Sequence, residues 1–279
     1  MRTIPAEKIT EAIKELSITA NYDLPEDVLT TLQKGRETEE SPIGREILDQ
    51  ILENAGIAAQ NRVPICQDTG FAAIFMEIGH DVCVEGNIPE AVDEGVRQGY
   101  QDGYLRKSIV SDPLRRTNTG DNTPAALTVE FIEGDEITIT IAPKGGGSEN
   151  MSMARLFAPA AGRDGLIDFV VNRVAESGSN PCPPVVVGVG IGGTFDLCAR
   201  LAKKALMHEM GVRHSDPYYA EMEEEILEKV NNLGIGPMGL GGRVTALDVH
   251  IETYPCHIAS LPVAVNMQCH AARHKTATI

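Results

Sequence analysis

Residues 183–193 read PPVVVGVGIGG. Two prolines, an unbroken apolar run and spaced glycines predict a strand buried on both faces that turns into a helix. That helix is expected at about 195–209. Others are expected at about 163–177 and 217–232, and RVTALDVHI (243–251) reads as another strand. Upstream, FAAIFMEI (71–78) has strand character and is followed by a helix over about 89–104. Residues 126–133 and 136–142 alternate around Gly134-Asp135 and predict a β-hairpin. The first 60 residues predict three helices. Ile9, Ile13 and Leu16 share one face after Pro5, a second helix covers 25–38, and Ser41-Pro42 opens a third with Ile43, Ile47 and Ile51 on one stripe. The expected fold class is α/β with mixed α+β order. A helical layer over 1–60 precedes a mixed sheet-and-helix portion over 61–279, all in a single domain.

Composition narrows the function. The chain has 279 residues and 42% hydrophobic content, enough for a core, but no Trp and only 4% aromatics. Aliphatic residues must therefore do the packing. A net charge of −16 argues against binding a nucleic-acid backbone. Lys8, Glu11, Lys14 and Glu15 interrupt any apolar leader, and no segment approaches the roughly 20 apolar residues of a membrane span. These features predict a cytoplasmic chain with no membrane or nucleic-acid partner, whose six cysteines stay reduced.

No two cysteines form a C-x-x-C pair. Cys83, in DVCVEG, and Cys198, on an amphipathic helix, are expected in the core. Three others sit in polar, irregular surroundings: Cys66 in PICQDTG (64–70), Cys182 in SGSNPCPPV (177–185) and Cys269 in NMQCHAARH (266–274). Spacing alone leaves them open as metal ligands or as packing residues. In LRKSIVSDPLRRTNTGDNTP (105–124), Arg106, Lys107, Arg115 and Arg116 form a basic cluster suited to carboxylates, or a solvated face. The glycines of PKGGGSEN (143–150) suit either an anion nest or a flexible loop. GVGIGG (188–193) fits a dinucleotide fingerprint, but residues 207–216, MHEMGVRHSD, hold no second strand ending in the required acidic residue. A glycine turn that packs strand on helix is the better reading. His257, in YPCHIASLP, lies twelve residues before Cys269.

Taken together and in order, ICQDTG, LRKS, NTGDNTP, KGGGSEN, SNPCPP, GVGIGGT and NMQCHAARH resemble the class I iron–sulfur fumarase and tartrate dehydratase family, in its α subunit or N-terminal half. The resemblance implies a [4Fe–4S] cluster held by Cys66, Cys182 and Cys269. One iron would be left without a protein ligand, free to act as a Lewis acid. It further implies that Gln67, Asp68, Arg106, Gly147 and His257 meet a small dicarboxylate, with Asp68 orienting it or accepting a proton. The implied reaction is fumarate hydration, with tartrate dehydration or a non-catalytic iron–sulfur module as alternatives. Single-chain members carry a further domain with more substrate-binding residues. This chain ends ten residues after Cys269, which implies a separate β subunit in an α2β2 assembly, or an α homodimer.

Overall fold

The computed structural model describes all 279 residues, which form a mixed α/β structure of two compact units. The first comprises Met1–Pro25, Asn54–Gly146 and Arg273–Ile279. The second comprises Glu26–Glu53 and Gly147–Ala272.

The first unit is built on a four-stranded sheet in the order β10-β5-β2-β4, formed by β2 (Phe71–Gly79), β4 (Ala126–Ile132), β5 (Ile137–Lys144) and β10 (Lys275–Thr278). A small parallel pair, β1 (Arg2–Pro5) with β3 (Val82–Glu85), lies beside it in sequence. Helices α1 (Ala6–Tyr22) and α4 (Ile88–Asp102) supply the apolar cover. Ile9, Ile13 and Leu16 of α1 join Val92, Val96 and Tyr100 of α4 against Ile74, Met76, Ile137, Ile139 and Ile141. The helices cross closely at Gly95 and Gly99. A β-carbon there would come within 2.8 Å of Ile13 and 2.7 Å of Ser17, so larger residues would force the helices apart.

The expected hairpin does not form. β4 and β5 both pair with β2, which runs between them, parallel to β4 and antiparallel to β5. The N–H of Gly79 donates to Glu136 O and that of Asp81 to Gly134 O, each at 2.9 Å, which draws the end of β2 under the Gly134-Asp135 turn. β2 is apolar and largely buried, so it takes the centre of the sheet with a partner on each edge. Alternation marked β4 and β5 as strands but carried no information about their partner.

The second unit has a sheet in the order β6-β9-β7-β8, from β6 (Met153–Phe157), β7 (Val185–Gly192), β8 (Ala246–Tyr254) and β9 (Leu261–Gln268). β7 is buried along its whole length, as its sequence predicted. Helices α6 (Gly162–Ser177) and α8 (Pro217–Asn231) share one apolar cluster with β7, β8 and β9. Helix α7 (Phe195–Ala205) packs on β7 as well, and GVGIGG explains how. A β-carbon at Gly188 would strike the Ala202 carbonyl, and one at Gly190 the Cys198 carbonyl. These glycines bring helix and strand into backbone contact. Cys198 is buried there as expected, and burial raises its thiol pKa. Cys83, expected in the core, is instead exposed, because β3 belongs to a two-stranded pair that leaves its side chain in solvent.

All three N-terminal helices form. α1 belongs to the first unit, while α2 (Glu26–Thr38) and residues 42–53 of α3 (Pro42–Asn61) belong to the second. The Ser41 hydroxyl caps α3 by accepting the Gly44 N–H at 3.2 Å. The stripe α3 buries is Leu48, Ile51, Ala55 and Ala58, and Ile43 is exposed. Beside it, buried Glu39 accepts backbone N–H groups from Ser41, Arg243 and Val244 at 2.8–2.9 Å. Burial pushes its pKa up, but these donors outweigh that and hold it below the usual carboxylate value.

Candidate active site

In the first unit, PICQDTG leaves α3 and enters β2 as an irregular loop, and every carbonyl from Asp68 to Gly70 is held from outside. The Tyr100 hydroxyl, at the buried end of α4, donates to Thr69 O at 2.8 Å and Gly70 O at 3.0 Å. Burial raises the pKa of this phenol, which keeps it a donor. Asn122 Nδ2 donates to Gly70 O at 3.2 Å, while its Oδ1 accepts the Ser108 N–H at 2.7 Å. The polar segment TNTGDNTP thus does more than turn a corner. Its Asp121 accepts the Thr123 N–H and hydroxyl and an Arg97 N–H. These donors overcome burial and hold the carboxyl at about 2. Finally, Arg273 Nη2 donates to Asp68 O.

The side chains of this loop are only partly enclosed. Cys66 is half-buried, and its thiol lies 3.4 Å from Gln67 Oε1, which is exposed. The Asp68 carboxylate is half-buried and already engaged. Oδ1 accepts the Gly70 N–H at 3.0 Å and Oδ2 the Gly146 N–H at 2.8 Å. It therefore ties the cysteine loop to the glycine segment of KGGGSEN, where the one-turn helix α5 (Gly146–Glu149) begins. The Arg106 segment is stapled to the same loop, its N–H donating to Thr69 Oγ1 at 2.8 Å and the Thr69 hydroxyl donating to Arg106 O at 3.2 Å. The Arg106 guanidinium points into solvent, as do Arg115 and Arg116. In this unit Cys66, Gln67, Asp68 and Arg106 are thus brought together.

In the second unit, Cys182 and Cys269 are neighbours. Cys182 is half-buried with φ at +56°, a backbone region that non-glycine residues rarely occupy. Its N–H donates to Ser179 O at 3.0 Å, and its carbonyl accepts the backbone N–H of His270 at 3.3 Å. Cys269, half-buried, stands just past the end of β9, where it follows the central strands out of the sheet. Gly147 packs close to the same loop, since a β-carbon there would meet Asn180 O at 3.3 Å. His257 sits in an exposed turn. Its Nδ1 accepts the Ala259 N–H at 3.1 Å, which leaves Nε2 to carry the proton of the neutral ring.

Comparison with known proteins decides what these motifs belong to. The family model described as fumarate hydratase (Fumerase) matches residues 10–278. The chain belongs to the fumarate hydratase family of hydro-lyases. It is 46% identical, over 274 residues covering 95% of each chain, to a Methanocaldococcus jannaschii protein named "Putative L(+)-tartrate dehydratase subunit alpha". It is 32% identical, over 96% of this chain and 90% of the relative, to the Escherichia coli (strain K12) L(+)-tartrate dehydratase subunit alpha. The resemblance read from the motifs is borne out over nearly the whole chain.

Several residues of this fumarate hydratase family member escaped sequence reasoning. Thr69, Asn122 and Arg273 hold the loop from inside motifs that gave them no role, and Tyr100 holds it from outside any motif. Asn122 lay in a segment already marked by its polarity. Arg273 lay in the quoted NMQCHAARH segment but was given no role there, and Tyr100 gave no local signal. The three cysteines of the polar motifs are all half-buried, outside any disulfide and on irregular backbone. Cys83 and Cys256 are exposed, and Cys198 is sealed under α7. No three His, Cys, Asp or Glu side chains are gathered tightly enough for a single metal ion. An iron–sulfur cluster holds its thiolates farther apart than one ion does, and soft thiolates are the donors it takes. No helix is long and apolar enough to cross a membrane.

Proposed function

We propose that this chain is the α subunit of a [4Fe–4S]-dependent L(+)-tartrate dehydratase, acting on a small hydroxy-dicarboxylate together with a separate β subunit. The observation that carries the tartrate reading is the shared designation of its full-length relatives as tartrate dehydratase α subunits. Fumarate hydration is the second reading, favoured by the description of the family model.

Cys66, Cys182 and Cys269 would hold the cluster. When bound, it supplies a Lewis-acidic iron that stabilises departing hydroxide. The protein residues do the rest. Exposed Arg106 offers a planar guanidinium to a substrate carboxylate, a local attraction that a chain of net charge −16 needs for an anion. Gln67, exposed beside Cys66, offers an amide to the same ligand. Asp68 holds two backbone N–H groups, which suits it to orienting the loop and its substrate more than to carrying a proton away. Gly147 offers close backbone approach, and His257 offers an Nε2–H donor. Proton abstraction next to the carboxylate requires a positioned base, and we assign the completion of that step to the β subunit.

The test is turnover by the anaerobically reconstituted α and β pair on L-tartrate and on malate, side by side. Preferred turnover of tartrate supports the main reading. Preferred turnover of malate replaces it with the second. Cluster incorporation with no dehydration of either would leave only an iron–sulfur module.

A further inference from the structure

Arg273 has a role that no motif assigned. It is 2% exposed, lies four residues after Cys269, and stands two residues before β10. A buried guanidinium ordinarily faces a carboxylate, because an unpaired charge is costly to bury. Arg273 makes no ion pair. Its Nη2 donates to the Asp68 carbonyl oxygen, and its Nε and Nη1 have no hydrogen-bond partner in the protein. A cation kept for stability alone would be better replaced by an apolar residue of similar volume. What this one does is grip a single peptide, the one between Asp68 and Thr69.

That peptide governs much of the loop. The Asp68 side chain holds the amides of Gly70 and Gly146, and the next two carbonyls are held by Tyr100 and Asn122. Tyr100 donates to both Thr69 O and Gly70 O, so it does not by itself set the Asp68 peptide. β10 pairs with β5 from Lys275↔Ile141 to Thr278↔Thr138, which anchors the backbone that carries Arg273.

We propose that Arg273 is a positioning residue for the Cys66–Gly70 loop. It orients the Asp68 peptide so that the Asp68 carboxylate spans to Gly146 and the side chains of Cys66 and Gln67 face the ligands of the site. The inference rests on the active-site reading of this loop, but its test does not need turnover.

Amide hydrogen exchange in the full-length, cluster-free chain provides that test, comparing wild type with Arg273→Lys and Arg273→Met. In Arg273→Met, the amides of Gly70 and Gly146 are expected to exchange about 10-fold faster or more, as loss of a charged hydrogen bond implies. The Ile74 and Ile141 amides of the β2–β5 ladder should stay unchanged. Arg273→Lys keeps a charged donor and should restore most of the protection. Unchanged exchange at Gly70 and Gly146 would overturn the proposal. So would an equal rise at Ile74 and Ile141, which would make Arg273 a general stabiliser, and so would failure of Lys to rescue. If the wild-type complex dehydrates no hydroxy acid, the functional reading fails while the exchange result still decides the role of Arg273.

Discussion

The backbone N–H of His270 donates to the carbonyl oxygen of Cys182 across 3.3 Å, joining positions 88 residues apart. This bond sets the residue after Cys269 against the Cys182 peptide, so two of the three proposed cluster ligands share one corner of the second unit. Cys182 meets this requirement in a left-handed backbone conformation, with φ at +56°. Strain of this kind persists where the surroundings over-determine it, and it clusters at functional sites.

If that conformation is retained for the thiol, glycine should relieve it. Cys182→Gly is expected to stabilise the cluster-free chain by roughly 0.5–1 kcal/mol while abolishing cluster binding. Urea denaturation of the cluster-free protein checks the first part. A loss of stability would mean that the thiol packs as a structural residue.

Asp68 offers a way to separate holding from proton transfer. Its carboxylate accepts Gly70 N–H and Gly146 N–H. Asp68→Asn leaves a single acceptor oxygen for two donors, so the chain should lose about 1–3 kcal/mol of stability. A pure base would show unchanged denaturation and lose only kcat. Denaturation and turnover measured on the same variant distinguish the two.

Gly188 and Gly190 test the second unit's core. Gly190→Ala drives a β-carbon into the Cys198 carbonyl, and a loss of about 1–3 kcal/mol or more is expected from overpacking. Gly56→Ala, inside α3 with open space around it, should instead gain up to about 1 kcal/mol. Chemical denaturation of both variants checks the contrast.

His250 makes stability depend on pH. It is fully buried on β8, its ring nitrogens have no hydrogen-bond partner, and Asp248 Oδ2 stands 3.5 Å away. Burial drives its pKa down to about 4. The neighbouring His208 and Arg213 push it the same way, and Asp248 and Asp27 oppose them. Above its ordinary value of 6.5 the ring is neutral in both states. As pH falls from 6.5 towards 4, the unfolded chain takes a proton that the folded chain refuses. Stability should then drop by up to about 1.4 kcal/mol per pH unit. Glu252, held low chiefly by its hydrogen bond from His208, contributes stability that is present above the unfolded carboxylate pKa and lost only at lower pH. His250→Leu should flatten the slope between pH 6.5 and 4, read from urea midpoints across that range.

Local pattern carried most of the elements. The buried run before Gly188, the Ser41-Pro42 start of α3 and the three polar cysteine segments were all legible, because each depends on neighbours in the chain. What was not legible depends on distant partners. β2 lies between β4 and β5 because it needs two edges, and a DG turn says nothing of a strand that ends 55 residues before Gly134. Asp68 and Gly146 are 78 positions apart, and Arg273 and Asp68 are 205. Cys83 has the same strand-like surroundings as a core cysteine, yet its strand has only one neighbour to cover it.

The central claim is that three cysteines, and not the other three, hold an iron–sulfur cluster. Iron content and cluster absorption after anaerobic reconstitution of the α and β pair test it most directly, in single Ser variants of Cys66, Cys182, Cys269, Cys83 and Cys256. The account predicts that the first three lose the cluster and that Cys83→Ser and Cys256→Ser keep it. A full cluster retained in Cys182→Ser would contradict it.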